Sequence, residues 1–74
     1  MESANEKEFK EFGKRVKSFR KSKKITQQDL AYDCEVHKRT IQRIEKGDVN
    51  IGLETIFNIA KALEIKVGEL FKEV

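Results

Sequence analysis

Phe9, Phe12, Val16 and Phe19, then Ile41 and Ile44, then Leu53, Ile56, Ala60 and Leu63 recur every three or four positions, and no proline interrupts the chain. That spacing gathers them on one side of a 3.6-residue turn, so the chain is constrained to build from amphipathic helices. Phe9, Phe12, Val16 and Phe19 set a first helix from about Glu6 to Lys21, with an aromatic stripe turned inward. Thr26 is suited to cap a second helix running to about Asp33. Its hydroxyl can accept from the backbone three residues on, where Asp29 can reach back to complete a capping box. Leu30 and Ala31 face the core from this helix. A third helix begins near Lys38 with His37 at its cap, and Gly47 is placed to end it with a positive φ. The linker DVNIG then leads to a fourth helix from about Leu53 to Leu63. Its expected core stripe is Leu53, Ile56, Phe57, Ala60 and Leu63, with Ile59 to one side. A short fifth helix, about Val67 to Lys72, supplies Leu70 and Phe71.

A chain of 74 residues reads as one domain over residues 1–74, with a loose terminus of about five residues. It lies near the lower limit at which an apolar core suffices without metals or disulfides. Cys34 is the single cysteine, which excludes an internal disulfide and a cysteine-based zinc cluster. It reads as a small apolar residue filling a helix end. His37 is the single histidine, with no second ligand nearby, so no metal is expected. No apolar run approaches the ~20 residues of a membrane span, and no signal-peptide core is present. The expectation is a soluble cytoplasmic protein with no cofactor and no membrane partner.

The net charge of +3 conceals an uneven distribution. Between Lys14 and Lys46 there are eleven Lys or Arg against four acids, a local +7, while residues 1–13 and 47–74 each carry −2. Cations gathered in this way suit a polyanion, because Lys and Arg displace counterions from phosphates. The third helix sharpens the point. At about 100° per residue from Lys38, Ile41, Ile44 and Glu45 fall near 300°, 240° and 340°, whereas Arg39, Gln42, Arg43 and Lys46 fall near 100°, 40°, 140° and 80°. One side buries isoleucines and the other presents amides and cations with no acid among them. Arg bonds two acceptors of guanine, Gln does the same for adenine, and Lys reaches guanine or phosphate. Two short helices joined by a tight turn over about residues 26–46, the second basic on its outer face, have the layout of a helix-turn-helix.

Three stretches carry a wider resemblance: GKRVKSFRKSKKITQQDLA, the RIEKG end of the third helix, and LETIFNIAKALEI. Together they resemble the Cro and lambdoid-repressor type of helix-turn-helix, the XRE family, over about Phe12 to Phe71. The resemblance implies an all-α, compact five-helix bundle of the lambda-repressor-like DNA-binding type, and double-stranded DNA as partner. It implies base readout by Lys38, Arg39 and Arg43, and Gln42 joins this set on the helical wheel. It implies a phosphate contact from Gln27. Lys23, Lys24, His37, Thr40 and Lys46 are further candidates for the DNA backbone. An ion pair between Arg20 and Glu45 also follows from it, and agrees with the inward position of Glu45.

The chain departs from the family pattern at several points. Glu35 stands where the turn usually has Gly, so a non-glycine residue is expected in the left-handed region, at roughly 1 kcal/mol. His37 replaces the usual Ser cap, and Ile51 and Gly52 replace the Pro and Ser before the fourth helix.

Ile65, Val67, Leu70, Phe71 and Val74 exceed what one helix end needs for its own burial, and are expected to form a homodimer contact. Two symmetric half-sites would double the discrimination of a single recognition helix. The chain is accordingly similar to small homodimeric controllers of restriction-modification genes or to compact phage regulators, and is expected to bind an inverted repeat as a homodimer. The alternative is a protein-interaction module, such as an antitoxin covering a toxin, with DNA binding secondary. No nucleophile, base and oxyanion set is apparent, so no catalytic residue is expected.

Overall fold

The computed structural model describes residues 5–48 and 50–71 of the chain. Four α-helices, α1 (Glu6–Ser22), α2 (Gln27–Cys34), α3 (Lys38–Lys46) and α4 (Leu53–Ala62), are followed by one turn of 3-10 helix over Val67–Leu70. Among the described residues there is no strand. The four longer helices expected are present, but in place of a fifth helix to about Lys72 stands a single 3-10 turn that ends at Leu70. Val74 and most of the expected loose N-terminus lie outside the described residues.

Local chemistry accounts for where the helices start. Glu6 and Glu8 in the first turn of α1, and Arg20 and Lys21 in its last, complement the helix dipole. At α2 the Thr26 hydroxyl accepts from the Asp29 N–H at 3.0 Å, and the Thr26 N–H donates to Asp29 Oδ2 at 3.0 Å, completing the capping box.

Each of the four α-helices ends in the same way. A residue in the left-handed region follows the last turn: Lys24 (φ 61°), Glu35 (φ 58°), Gly47 (φ 74°) and Glu64 (φ 59°). Its N–H and that of the next residue close back on the helix in the paired pattern of a Schellman motif. For α1 these bonds are Lys24 to the Lys21 carbonyl (3.0 Å) and Ile25 to the Arg20 carbonyl (3.3 Å); for α2 they are Glu35 to Tyr32 (3.1 Å) and Val36 to Ala31 (3.0 Å). The residues that follow the three non-glycine turns, Ile25, Val36 and Ile65, are apolar and pack against the core. That burial holds Lys24, Glu35 and Glu64 in a conformation that is unfavourable for side chains bearing a Cβ. Glu35 and Gly47 behave as expected from sequence; Lys24 and Glu64 carry no local signal beyond the apolar residue that follows them.

The core is built from all five elements. Val16, Leu30, Ala31, Ile41, Ile59, Leu63 and Leu70 are fully inaccessible, with Phe12, Cys34, Ile44 and Ala60 nearly so. α3 lies between α1 and α2, while α4 packs on α2 and the 3-10 helix.

Two expectations for α4 and the C-terminal end are corrected. Leu53 and Phe57, assigned to the core stripe, are 70% and 54% exposed, whereas Ile59, placed to one side, is fully buried. The apolar residues of α4, Ala62 included, spread over about 220° of its circumference at 100° per residue, and the bundle covers only the part centred on Ile59 and Leu63. Leu70, expected at a dimer contact, is fully buried within its own chain. Ile65 and Val67 are half-buried against the core, and Phe71 is 55% exposed.

Candidate nucleic-acid interface

The sequence of α3 divides it into two faces, and packing fixes which one is free. Ile41 and Ile44 point into the core at 0% and 2% exposure. Lys38, Arg39, Gln42, Arg43 and Lys46 are all exposed, and Thr40 is half-buried. Among the described residues no carboxylate pairs with any of the four cations. Arg39, Gln42, Arg43, Lys46 and Asp48 line a shallow polar cleft along this face. Arg43 Nη2 donates to the Asp48 carbonyl at 3.3 Å, while the Asp48 N–H donates to the Arg43 carbonyl at 2.9 Å. The guanidinium thus lies back over the C-terminal end of α3, where cations are favoured by the dipole.

The N-terminal end of α3 is capped in backbone geometry alone. His37 adopts extended φ and ψ (−78°, 151°) and its carbonyl accepts from Thr40 at 2.9 Å, but its side chain makes no capping bond. The imidazole is exposed. The position of His37 is therefore that of a cap, and its ring is left to solvent.

Behind this face lies a buried polar cluster. Arg20 Nε donates to Glu45 Oε2 at 2.7 Å and Nη2 to Oε1 at 3.2 Å, with the two side chains 10% and 4% exposed. Arg20 Nη1 donates to the Ile25 carbonyl at 2.9 Å, tying the same guanidinium to the connection after α1. The expected ion pair is present, and Gln27 joins it, donating from Nε2 to Glu45 Oε1 at 3.0 Å. Sequence reasoning assigned Gln27 to phosphate and missed this bond. The available signal was stoichiometric: a buried carboxylate offers about four acceptor sites, and one arginine fills only part of them. Glu45 therefore links α1, α2 and α3 through one side chain.

The remaining backbone candidates differ in how engaged they are. Lys23 forms an ion pair with Glu64, and that hydrogen bond, followed by the attraction of the ammonium charge, lowers the Glu64 pKa. Lys24 and Lys46 are exposed. Cys34 sits buried at the last position of α2, where burial and then the charge of Asp33 push its thiol up to about 11. A neutral, inaccessible thiol is a packing residue, as the sequence suggested. Among the described residues no group of His, Cys, Asp and Glu could hold a metal ion, and no helix is long and apolar enough to cross a membrane. A small apolar cleft of about 160 Å³ lies between Phe9, Phe12, Ile44, Ile51, Ile56 and Phe71. The Phe12 and Phe71 rings meet there at 5.1 Å.

Comparison with known proteins agrees with this geometry. Residues 16–70 match the helix-turn-helix family. The chain is 38% identical over 60 residues to the control protein C.BamHI of Bacillus amyloliquefaciens, covering 80% of this chain and 74% of that protein. It is 37% identical over 57 residues to an uncharacterized HTH-type transcriptional regulator of Methanocaldococcus jannaschii, covering 77% and 86% of the two chains. Its fold is similar to that of the restriction-modification controller protein C.AhdI from Aeromonas hydrophila, with a TM-score of 0.86 and 31% identity over 88% of this chain and 98% of the other. These relatives are regulators rather than enzymes. An outward cationic helix on a buried Arg–Glu–Gln support, together with these matches, shows that the chain belongs to the XRE-type helix-turn-helix family of DNA-binding transcriptional regulators.

Proposed function

We propose that the protein is a sequence-specific double-stranded DNA-binding regulator of transcription, acting in the cytoplasm as a homodimer on an inverted repeat with α3 in the major groove. The observation that carries this reading is the exposure of Lys38, Arg39, Gln42, Arg43 and Lys46 on the one face of α3 that none of the described residues covers. In this reading Lys38, Arg39, Gln42 and Arg43 address base edges, where each well-formed bidentate contact contributes about 1–3 kcal/mol of discrimination. Lys24, His37, Thr40 and Lys46 approach phosphates. Gln27 retains a second N–H to donate to a phosphate while holding Glu45. Lys23 would have to exchange Glu64 for phosphate to take part.

The homodimer rests on apolar side chains that the fold leaves uncovered: Leu53 and Phe57, one turn apart on α4, and Phe71 beyond the 3-10 helix. Leu70 is excluded from that contact by its burial. The similarity to C.BamHI and C.AhdI supports a small controller of this kind. The deciding experiment is selection of binding sites from random duplexes at fixed salt, followed by anisotropy titrations of the selected duplex. A palindromic preference lost on scrambling is expected; indifference to sequence would sink the reading.

A further inference from the structure

The C-terminal half of α3 rests on α1 through backbone. A Cβ built on Gly13 would lie 2.7 Å from the Glu45 carbonyl oxygen and closer still to that of Ile44, so α1 approaches the last turn of α3 with no side chain between them. Further along the same contact, a Cβ on Gly47 would lie 2.5 Å from Lys10 Cα and 2.7 Å from Lys10 N. Apart from Lys10 Cγ the obstructing atoms are backbone, so no rotamer change relieves either clash. Arg20 reaches Glu45 from the same helix. Lys10, Gly13 and Arg20 stand at i, i+3 and i+10, on one face of α1. The contacted segment, Ile44 to Gly47, directly follows Gln42 and Arg43.

We propose that Gly13 is a positioning residue for DNA reading: its missing side chain sets how far the C-terminal half of α3 stands off the bundle, and so where Gln42 and Arg43 meet the bases. The inference rests on the DNA-binding reading above. An added methyl group must open the α1–α3 contact by about 0.5–1 Å to restore the ordinary C···O approach of ~3.3 Å. Recognition geometry tolerates only about 0.5 Å. The nearest atoms to a Gly13 Cβ are the Ile44 and Glu45 carbonyls, whereas Lys38 and Arg39 begin α3 at the far end, after the α2–α3 turn. The displacement therefore falls on the C-terminal half, and Lys38 and Arg39 keep their places. One substitution far from the exposed face thus alters part of the readout and leaves the rest.

The test is site selection from random duplexes with the wild-type chain, Gly13→Ala, Arg43→Ala and Gly47→Asn, each checked for a cooperative thermal melt. Asn tolerates the left-handed conformation while placing a Cβ against Lys10, so it presses on the same contact from the other side. The expected result is that Gly13→Ala and Gly47→Asn melt cooperatively, keep the wild-type salt slope, and lose about 10-fold of discrimination, within the range of one bidentate contact, at the base pairs that Arg43→Ala relaxes. Discrimination also falls at the pair that Gln42 addresses, while preference at the pairs addressed by Lys38 and Arg39 is retained. A uniform loss of affinity with an unchanged preference profile would overturn the proposal, since that is what destabilisation alone produces. Failure of both variants to fold would overturn it too, by making the contact a requirement of folding. Absence of any preference in the wild-type chain is a distinct result, which removes the DNA reading itself and this inference with it.

Discussion

Arg20 on α1 and Glu45 on α3 are held by two hydrogen bonds, the shorter 2.7 Å, with the carboxylate only 4% exposed. A pair so far out of water is costly to form, and its removal as a unit is tolerated far better than the loss of one member. Glu45→Leu leaves the guanidinium without its counter-charge and is expected to cost about 3–5 kcal/mol, a large part of the 5–15 kcal/mol typical of a small domain. The double variant Arg20→Met with Glu45→Leu should recover most of that loss. Urea titrations followed by circular dichroism measure both, and equal destabilisation of single and double variants would contradict the account.

Glu35 ends α2 with φ 58° and ψ 41°, and its side chain is exposed. Glu35→Gly relieves the Cβ clash of that conformation and should stabilise the fold by up to about 1 kcal/mol. For a domain of this size that corresponds to a rise of about 4–8 °C in Tm. A fall in Tm would mean that Glu35 makes a compensating interaction absent from the fold described above.

On the DNA side, Arg43 and Lys24 should separate cleanly. Arg43→Ala is expected to relax preference at one base pair per half-site at a cost of about 1–3 kcal/mol. Lys24→Ala should weaken all sequences alike and lower the salt slope by about one ion per half-site. Anisotropy titrations against operator variants at several salt concentrations distinguish the two. Equal losses for Arg43→Ala across all variants would place that residue on phosphate instead.

Cys34 gives a pH prediction. Its folded-state pKa is raised from 9.0 to about 11 by burial and by Asp33. Between those values the unfolded chain releases a proton that the folded chain keeps, so this contribution is fully present below pH 9 and declines as pH rises towards 11. The wild-type chain should lose stability more steeply over that window than Cys34→Ala. Alkylation by iodoacetamide at pH 8 should be slow until urea unfolds the protein. Fast labelling of the native chain would show that the thiol is accessible.

The uncovered apolar residues predict an oligomer. Light scattering at tens of micromolar should give twice the 8.6 kDa of one chain, and Phe57→Asp should return it to monomer without loss of helicity. A wild-type monomer at high micromolar concentration would remove the homodimer from the proposal.

Periodicity and end signals carried much of the fold. The Phe9–Phe19 stripe, the Thr26–Asp29 capping box and Gly47 bracket helices whose ends fall within a residue or two of their expected places. These are local properties, in which each residue's preference depends on neighbours three or four positions away. The outward face of α3 was legible for the same reason, because two isoleucines leave only one way for a short helix to sit. What sequence could not decide was which part of a wide apolar stripe a neighbour would cover. Leu53 and Phe57 are as apolar as Ile59 and Leu63, and only the packing of α4 on α2 and the 3-10 helix left the first pair in solvent. Leu70 went the other way, into the core. The bond from Gln27 to Glu45 likewise spans eighteen positions, and no local preference reports a partner at that distance. Local chemistry thus determined the helices and the chemical character of their faces, whereas the tertiary structure decided which faces meet, because burial is a property of the whole assembly of helices rather than of any one of them.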